Sequence, residues 1–289
     1  MRDLIDRFVV DHDVYLVTAD MGSFPLARKT CPQKCIDVGL DEVTAANVAL
    51  GLAMSGTRVL LYSVAGFLIH RAHEILREAS IHSLPITVLN GGAGFLYHNC
   101  GLGHYLLDDI AIMSSLPNVT LYFPYEPQNY NSFLTTDNIG FRYVRLAPDD
   151  AQPYGIHNQQ YYPYGCMVIY TLGWLVPIID SICTRLNQPD DIVRASIHPC
   201  TKVVIKDGEP VIDIGRSLSS TNTLLVVEDH VHLGGLHSLL SSAYINSKFN
   251  SYAAPCIDYS GRSLEQVRSA YGMTEKRIES FIKNLKKVY

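Results

Sequence analysis

Two side chains, Glu42 and His104, have the chemistry to hold or move a proton. Glu42 follows a strand and a glycine turn, and a helix of small residues begins at or just after it. An acid in the first turn of a helix commonly does no more than interact with the helix dipole. His104 lies in a glycine-rich loop, where a histidine can be a plain surface residue or a general acid–base. Spacing alone leaves both a structural and a catalytic role open for each residue.

Cysteines give little support for a metal site. The chain has seven of them, an odd number, at positions 31, 35, 100, 166, 183, 200 and 256. Such a spread is typical of apolar thiols in a reducing compartment rather than of a disulfide framework. Cys31 and Cys35 are four positions apart, but no second pair completes a zinc-binding pattern. We therefore expect no metal ligands from this chain.

Composition excludes several classes of function. The 289 residues carry a formal net charge of −5 with a pI near 6.1, so nucleic-acid binding lacks its usual basic patch. With 47% hydrophobic residues and a mean hydropathy of +0.09, the chain can build cores but has no run of roughly 20 apolar residues for a membrane helix. The N-terminus lacks an apolar signal core. These features predict a soluble, cytoplasmic protein that binds neither nucleic acid nor membrane.

The elements that must position these residues alternate between strand and helix patterns. In the first half, β-branched runs predict strands at Val14–Ala19, Arg58–Val64, Ile86–Asn90, Val119–Phe123 and Phe141–Leu146. Helical patterns lie at Val43–Met54, Ile69–Ile81 and Leu106–Ser114. Later strands are expected at Met167–Thr171, Val193–Ile197 and Leu224–Val227, with helices at Trp174–Leu186, Gly234–Ile245 and within Leu264–Lys287. Alternation of this kind predicts α/β architecture with mostly parallel sheets.

The segment at 149–165 is rich in Pro, Gln, Asn and Tyr and has no apolar periodicity. Such a composition indicates a linker or a long surface loop. We therefore expect two three-layer α/β domains, at residues 1–150 and 165–289, joined by a linker at 151–164. The Lys206–Glu209 segment, with its central Asp-Gly, predicts a hairpin turn within the second domain.

Residues 37–42, Asp-Val-Gly-Leu-Asp-Glu, followed by Ala45, Ala49 and Gly-Leu-Ala at 51–53, resemble the pyrimidine-binding domain of the transketolase family. The resemblance implies that thiamine diphosphate is the cofactor and that Glu42 holds a ring nitrogen of its aminopyrimidine. Residues 63–74 resemble the segment in which an aromatic, here Phe67, stacks on that ring. Ala-Asp-Met at 19–21 resembles the end of the first strand, so Asp20 and Met21 are implied to face the cofactor. Val43, Thr44 and Val64 depart from the family pattern.

Residues 84–120 carry the longest resemblance, a strand, a glycine-rich loop and a Leu-Pro-Asn before the next strand. His104 matches the loop histidine that hydrogen-bonds substrate oxygens. Cys100 and Gly92 replace polar residues that bind sugar donors, and His98 is among the residues that could replace them. Arg145 resembles a strand arginine that can meet a substrate phosphate, with a structural ion pair as the alternative.

The second half resembles the transketolase C-terminal domain, through Thr-Leu-Gly at 171–173, Val-Glu-Asp-His at 227–230 and Tyr-Gly-Met-Thr at 271–274. The family binds the diphosphate through Mg²⁺ with a Gly-Asp-Gly motif, which these 289 residues lack. The resemblance therefore implies a separate N-terminal, diphosphate-binding subunit that supplies the Mg²⁺ ligands, in an α₂β₂ assembly.

The resemblance also implies the reaction, transfer of a two-carbon ketol unit from a ketose or 2-oxo donor to an aldehyde acceptor. One alternative is the β subunit of a 2-oxo acid dehydrogenase E1 component, which shares the domain pair and a loop histidine. The other is a regulatory subunit that kept the fold and lost turnover, which would explain the departures at Val64, Gly92 and Cys100. Glu42 and His104 favour an enzyme.

Overall fold

The computed structural model describes residues 2–134, 140–146, 167–187, 195–212, 223–255 and 263–286. The linker expected at 151–164 lies outside these residues. Across the described ranges, every helix is too short or too polar to cross a membrane.

Strands and helices alternate along the described residues. The strands are β1 (Tyr15–Thr18), β2 (Cys35–Asp37), β3 (Val59–Val64), β4 (Ile86–Gly91), β5 (Asn118–Tyr122), β6 (Arg142–Arg145), β7 (Met167–Thr171), β8 (Ala195–Pro199), β9 (Lys202–Lys206), β10 (Glu209–Val211), β11 (Thr223–Val231) and β12 (Phe249–Ala254). The helices are α1 (Arg2–Asp11), α2 (Pro25–Thr30), α3 (Glu42–Met54), α4 (Ala65–Arg71), α5 (His73–Ile81), α6 (Asp109–Ser114), α7 (Pro127–Leu134), α8 (Leu175–Leu186), α9 (Leu236–Ala243), α10 (Leu264–Ala270) and α11 (Glu275–Lys286). The expected α/β class is confirmed.

The first sheet has helices on both faces. Its strand order is β10-β9-β5-β6-β4-β3-β1-β2, and the six strands β1 to β6 run parallel. Side chains of β3 alternate between two cores: Leu61 packs on the side of α3, α5 and α6, and Leu60 on the side of α1 and α7. Strands covered on both faces are apolar nearly throughout, which is the pattern seen in the sequence.

A hairpin from beyond the expected linker completes this sheet. β9 and β10 pair antiparallel through a two-residue turn, in which Asp207 and Gly208 have φ values of 53° and 83°. Two positive φ angles are what a tight hairpin turn requires, so the expected turn is confirmed. β9 also pairs antiparallel with β5, and Val203 enters the core of the first sheet. The first sheet is therefore built from residues on both sides of 151–164.

The second sheet is parallel, in the order β12-β11-β7-β8. Its core lies between β7, β8, β11 and the helices α8 and α11, where Ile179, Val227 and Ile282 are buried. The C-terminal part of β11 carries three buried polar residues in a row, Glu228 to His230. That end of β11 meets the first sheet's helices and loops, as described below.

Two expected helices differ in their bounds. The helix expected at Ile69–Ile81 is two helices, α4 and α5, that meet at Ala72, and α4 begins already at Ala65. The start was missed because Ala-Gly at 65–66 adds nothing to an apolar repeat. The helix expected from Leu106 begins at Asp109, because Leu106 exchanges two backbone hydrogen bonds with Gly94.

Candidate active site

Glu42 opens α3 and is almost wholly buried. Asp41 caps the helix, because its carboxylate accepts a hydrogen bond of 2.9 Å from the amide of Thr44. The buried face of α3 is formed by alanines, among them Ala45 and Ala49, which lets the helix lie close to the sheet. Only 7% of the Glu42 side chain is exposed, so its carboxylate needs a polar partner.

Arg71 is that partner. Its Nη1 lies 2.9 Å from Glu42 Oε2, and the Arg71 side chain is 55% exposed. The same guanidinium lies 4.6 Å from the ring centroid of Phe67, which is one helical turn earlier on α4. Arg71 thus contacts both the carboxylate and the aromatic ring that the sequence singled out, through an ion pair and a cation–π contact.

His104 reaches the same place from the glycine-rich loop. Its ring packs edge-on against Phe67, with centroids 4.8 Å apart and an interplanar angle of 74°. The ring of Tyr97 also lies near His104, with centroids 6.3 Å apart. Glu42, Arg71, Phe67 and His104 form one continuous set of contacts, which we call the Glu42–His104 cluster.

Asp20 and Met21 lie in the turn after β1, which is fixed by two other residues. Arg28 donates to the carbonyl of Met21 at 2.9 Å and to Asp37 Oδ2 at 3.0 Å. Asp37 also accepts from the amide of Asp20 at 3.0 Å. Burial alone would raise the pKa of Asp37, but hydrogen bonds that include those from Gly39, Asp20 and Arg28 hold it below its ordinary value. Among the described contacts, neither Asp20 nor Met21 has a hydrogen bond to the Glu42–His104 cluster.

His98 and Cys100 share the loop with His104 but lie apart from the cluster. The carbonyl of His98 accepts a hydrogen bond of 3.2 Å from Tyr105, while its ring Nδ1 is buried and has no partner among the described atoms. Cys100 is exposed, and its thiol donates to Asn99 Oδ1 at 3.4 Å. Both side chains belong to the segment between Gly94 and Leu106.

Arg145 is buried and engaged by two acids. Its Nε lies 2.8 Å from Asp109 Oδ2, and its Nη1 lies 2.6 Å from Asp229 Oδ1. Burial alone would lower the pKa of Arg145, but the two carboxylates outweigh it and hold that pKa above its ordinary value. These contacts favour the structural ion pair, which the sequence left as the alternative, over a role in binding a substrate phosphate.

Sequence reasoning missed the residues that hold these groups. Arg71 gave one local signal, since Phe67 and Arg71 are four apart and so share one face of a helix. Asp109 and Asp229 gave none, because their pairing with Arg145 joins positions 36 and 84 residues away. No three His, Cys, Asp or Glu side chains of the described ranges form a group that could hold a metal ion.

The chain is similar to several known proteins. Residues 6–138 match the family described as transketolase, pyrimidine binding domain. The chain is 28% identical over 200 residues to an uncharacterized 33.6 kDa protein in the fasciation locus of Rhodococcoides fascians, covering 65% of this chain and 63% of that protein. It is 24% identical over 262 residues to an apulose-4-phosphate transketolase subunit from Actinobacillus succinogenes, covering 82% and 81%. The 1-deoxy-D-xylulose-5-phosphate synthase of Alkaliphilus oremlandii is 24% identical over 302 residues, but the chain spans only 47% of its length.

A solved structure shares the fold along nearly the whole chain. It is a split-gene transketolase, an inactive beta4 tetramer, with a TM-score of 0.74 and 18% identity over 98% of this chain and 97% of that one. Residues 6–138 thus match the transketolase pyrimidine-binding domain, and the chain shares the fold of a split-gene transketolase chain.

Proposed function

We propose that this chain is the pyrimidine-binding subunit of a split, thiamine-diphosphate-dependent transketolase-like enzyme. It would transfer a two-carbon ketol unit from a ketose or 2-oxo donor to an aldehyde acceptor, as part of carbohydrate metabolism in the cytoplasm. The observation that carries the proposal is the Glu42–His104 cluster, which joins a buried carboxylate, an aromatic face and a histidine within a matching domain.

The side chains of the cluster fit an aminopyrimidine. Thiamine diphosphate, when bound, supplies a carbon nucleophile that can break and form a bond next to a carbonyl group. Glu42 would share a proton with a ring nitrogen; in support, its carboxyl group is buried and is paired, among the described residues, with a half-exposed arginine. Phe67 offers a flat apolar face for stacking, a favourable contact for a heteroaromatic ring.

His104 would act on the substrate. A histidine in contact with Phe67 can donate a hydrogen bond to a carbonyl or hydroxyl oxygen near the ring. The rings of Tyr97 and Phe67 lie near the imidazole and limit its orientation. His98 and Cys100 are proposed to face the donor from the same loop, and Asp20 and Met21 to line the cofactor side.

The diphosphate half is proposed to come from a separate subunit. A diphosphate needs Mg²⁺ and oxygen ligands, and the Gly-Asp-Gly motif is not among these 289 residues. The relative that is named as one subunit of a transketolase, and the structure of a split-gene transketolase, support such a division. An α₂β₂ assembly with the cofactor between the subunits follows from it.

Titration calorimetry tests the division directly. This chain alone, titrated with thiamine diphosphate and Mg²⁺, should show no tight binding, because its sequence lacks the Gly-Asp-Gly motif. Addition of a candidate partner, to be sought as a polypeptide with a Gly-Asp-Gly motif encoded by a neighbouring gene, should produce tight binding. Micromolar affinity of the lone chain would contradict the proposal, and so would a mixture that binds no better than the partner by itself.

A further inference from the structure

The loop that carries His98, Cys100 and His104 is closed at its base. Gly94 donates to the carbonyl of Leu106 at 2.9 Å, and Leu106 donates back to Gly94 at 3.1 Å. These two bonds turn the residues between them into a loop with joined ends. The residues that pack against this base therefore fix the positions of His98 and His104.

The first sheet does not hold this loop alone. Phe95 is buried in an apolar cluster whose other buried members all come from the C-terminal part of the chain: Ala254, Val267, Tyr271 and Met273. At the far end of the loop, Val231 of β11 donates a backbone hydrogen bond of 2.8 Å to the carbonyl of Leu107. Both ends of the loop are thus anchored on the second sheet and its helices.

Asp229 lies between these two anchors and is fully buried. Its Oδ1 accepts from Arg145 at 2.6 Å, and its Oδ2 accepts from the indole Nε1 of Trp174 at 2.5 Å. The backbone of Gly94 lies directly on this carboxylate, because a Cβ built at Gly94 would collide with Oδ2. The φ of Gly94, +63°, is a second reason why glycine suits this position.

A buried ion pair adds little to the free energy of unfolding, because desolvation of the two charges offsets their attraction. Its best-attested role is to favour one structural arrangement over others. Here the pair joins β6 of the first sheet to β11 of the second, beneath the base of the loop. We propose that Asp229 is a positioning residue, which holds the loop of His98 and His104 against the first sheet from the second one. The role of the loop in catalysis rests on the proposed function, whereas its attachment through Asp229 does not.

Hydrogen exchange of the full chain tests this without cofactor or partner. Asp229→Asn keeps the shape of the side chain and removes its charge, so backbone amides in 95–106 should exchange about tenfold faster or more than in the unchanged protein. Amides of α11 should exchange as before. Glu279→Gln is the matched control, because it also removes a carboxylate from two ion pairs, with Arg185 and Lys283, but far from the loop.

A second variant covers the case in which Asp229→Asn fails to fold. Trp174→Phe removes the donor to Asp229 Oδ2 and keeps a smaller aromatic ring beside the guanidinium of Arg268, so faster exchange in 95–106 is expected again, to a smaller extent. Equal exchange of the loop in the unchanged protein and in the folded variants would overturn the proposal.

In the reconstituted complex, the folded variant should lower kcat/KM, because a less firmly held loop positions His104 less well against the substrate, while its affinity for thiamine diphosphate stays the same. If the unchanged complex binds no thiamine diphosphate, the proposed function fails, and the exchange result still decides the role of Asp229. If the cofactor binds and kcat/KM is unaltered in a variant with a loosened loop, the positioning role is wrong.

Discussion

Arg71 contacts two of the three side chains proposed to act on the cofactor and substrate. Its guanidinium pairs with the carboxylate of Glu42 and covers the ring of Phe67. An aminopyrimidine bound to the same carboxylate and the same ring would compete with both contacts. At the scale of single residues, we therefore propose that Arg71 competes with the cofactor for Glu42 and Phe67.

Arg71→Met tests that competition. The variant keeps an unbranched apolar stem and removes the charge, so thiamine diphosphate should bind to the reconstituted complex about two- to fivefold more tightly. This corresponds to at most about 1 kcal/mol, the upper range for an exposed ion pair, because Arg71 is half exposed. The measurement is calorimetric titration of the complex.

Arg185→Met is the control, since it breaks exposed ion pairs with Glu275 and Glu279 on the second sheet's helices and should leave the affinity unchanged. Weaker binding in Arg71→Met would show that Arg71 helps to hold the cofactor, which is the opposite role.

At the residue scale, sequence could predict candidates but not their partners. Glu42, Phe67 and His104 were found because each lies in a segment of recognisable order, and the structure brings them into one set of contacts. For Arg145 the sequence left two roles open, contact with a substrate phosphate, from its resemblance to a strand arginine, and a structural ion pair. The two acids that engage it come from α6 and β11, and no local pattern could have indicated them.

At the scale of elements, the junction from β11 to α9 depends on a buried acid. The carboxylate of Glu228 accepts from the amides of Leu236 at 2.6 Å and His237 at 3.2 Å, at the start of α9. Burial raises the pKa of Glu228 to about 8, and the two hydrogen bonds only partly oppose that effect. Folding thus favours the protonated form of this residue.

The stability of the chain should therefore fall as pH rises through this window. Below the ordinary carboxyl pKa of about 4.5, Glu228 is protonated both folded and unfolded, and its contribution is fully present. Between that value and about 8, the unfolded chain loses the proton while the folded chain keeps it. The free energy of unfolding therefore falls by up to about 1.4 kcal/mol per pH unit.

Glu228→Gln should flatten this part of the stability curve, measured by denaturant unfolding of the chain from pH 5 to 8. Glu265→Gln is the control, since Glu265 is exposed in the first turn of α10. A slope equal to that of the unchanged protein would show that Glu228 is ionised in the fold.

Elements with a strong local pattern were predicted well. The helix expected at or just after Glu42 begins at Glu42, and its capping residue Asp41 is visible in sequence. The break at Ala72 could not be predicted, because Ile69–Ile81 has one continuous amphipathic pattern with no residue that would stop a helix. His70 Nδ1 contacts the carbonyl of Gly66, and its Nε2 lies 3.1 Å from Asp108, so tertiary contacts set the end of α4.

At the scale of the whole molecule, residues from both halves of the chain contribute to the first sheet and to the ion pair of Arg145. The β9–β10 hairpin extends the first sheet, and Asp229 of the second sheet holds an arginine of the first. Sequence could indicate the turn of the hairpin, because Asp-Gly is a local signal. It could not indicate which sheet the hairpin joins, because β5 lies about 80 residues earlier and an antiparallel pairing leaves no mark in either strand.

The central claim is that this chain supplies the carboxyl group that activates a cofactor held between two subunits. The most direct test is deuterium exchange at C2 of thiamine diphosphate in the complex of this chain with its Gly-Asp-Gly partner. Glu42→Gln keeps the shape of the side chain but cannot give up a proton, so exchange should slow by about 10²–10⁴-fold, the usual range for loss of acid–base catalysis.

Two further variants serve as comparisons for that measurement. His104→Ala should leave C2 exchange nearly intact while turnover falls, since His104 is proposed to act on substrate oxygens. Glu74→Gln removes an exposed acid from the first turn of α5 and should change neither rate. Exchange in the Glu42→Gln complex as fast as in the unchanged complex would contradict the account and leave Glu42 as a residue of the helix terminus.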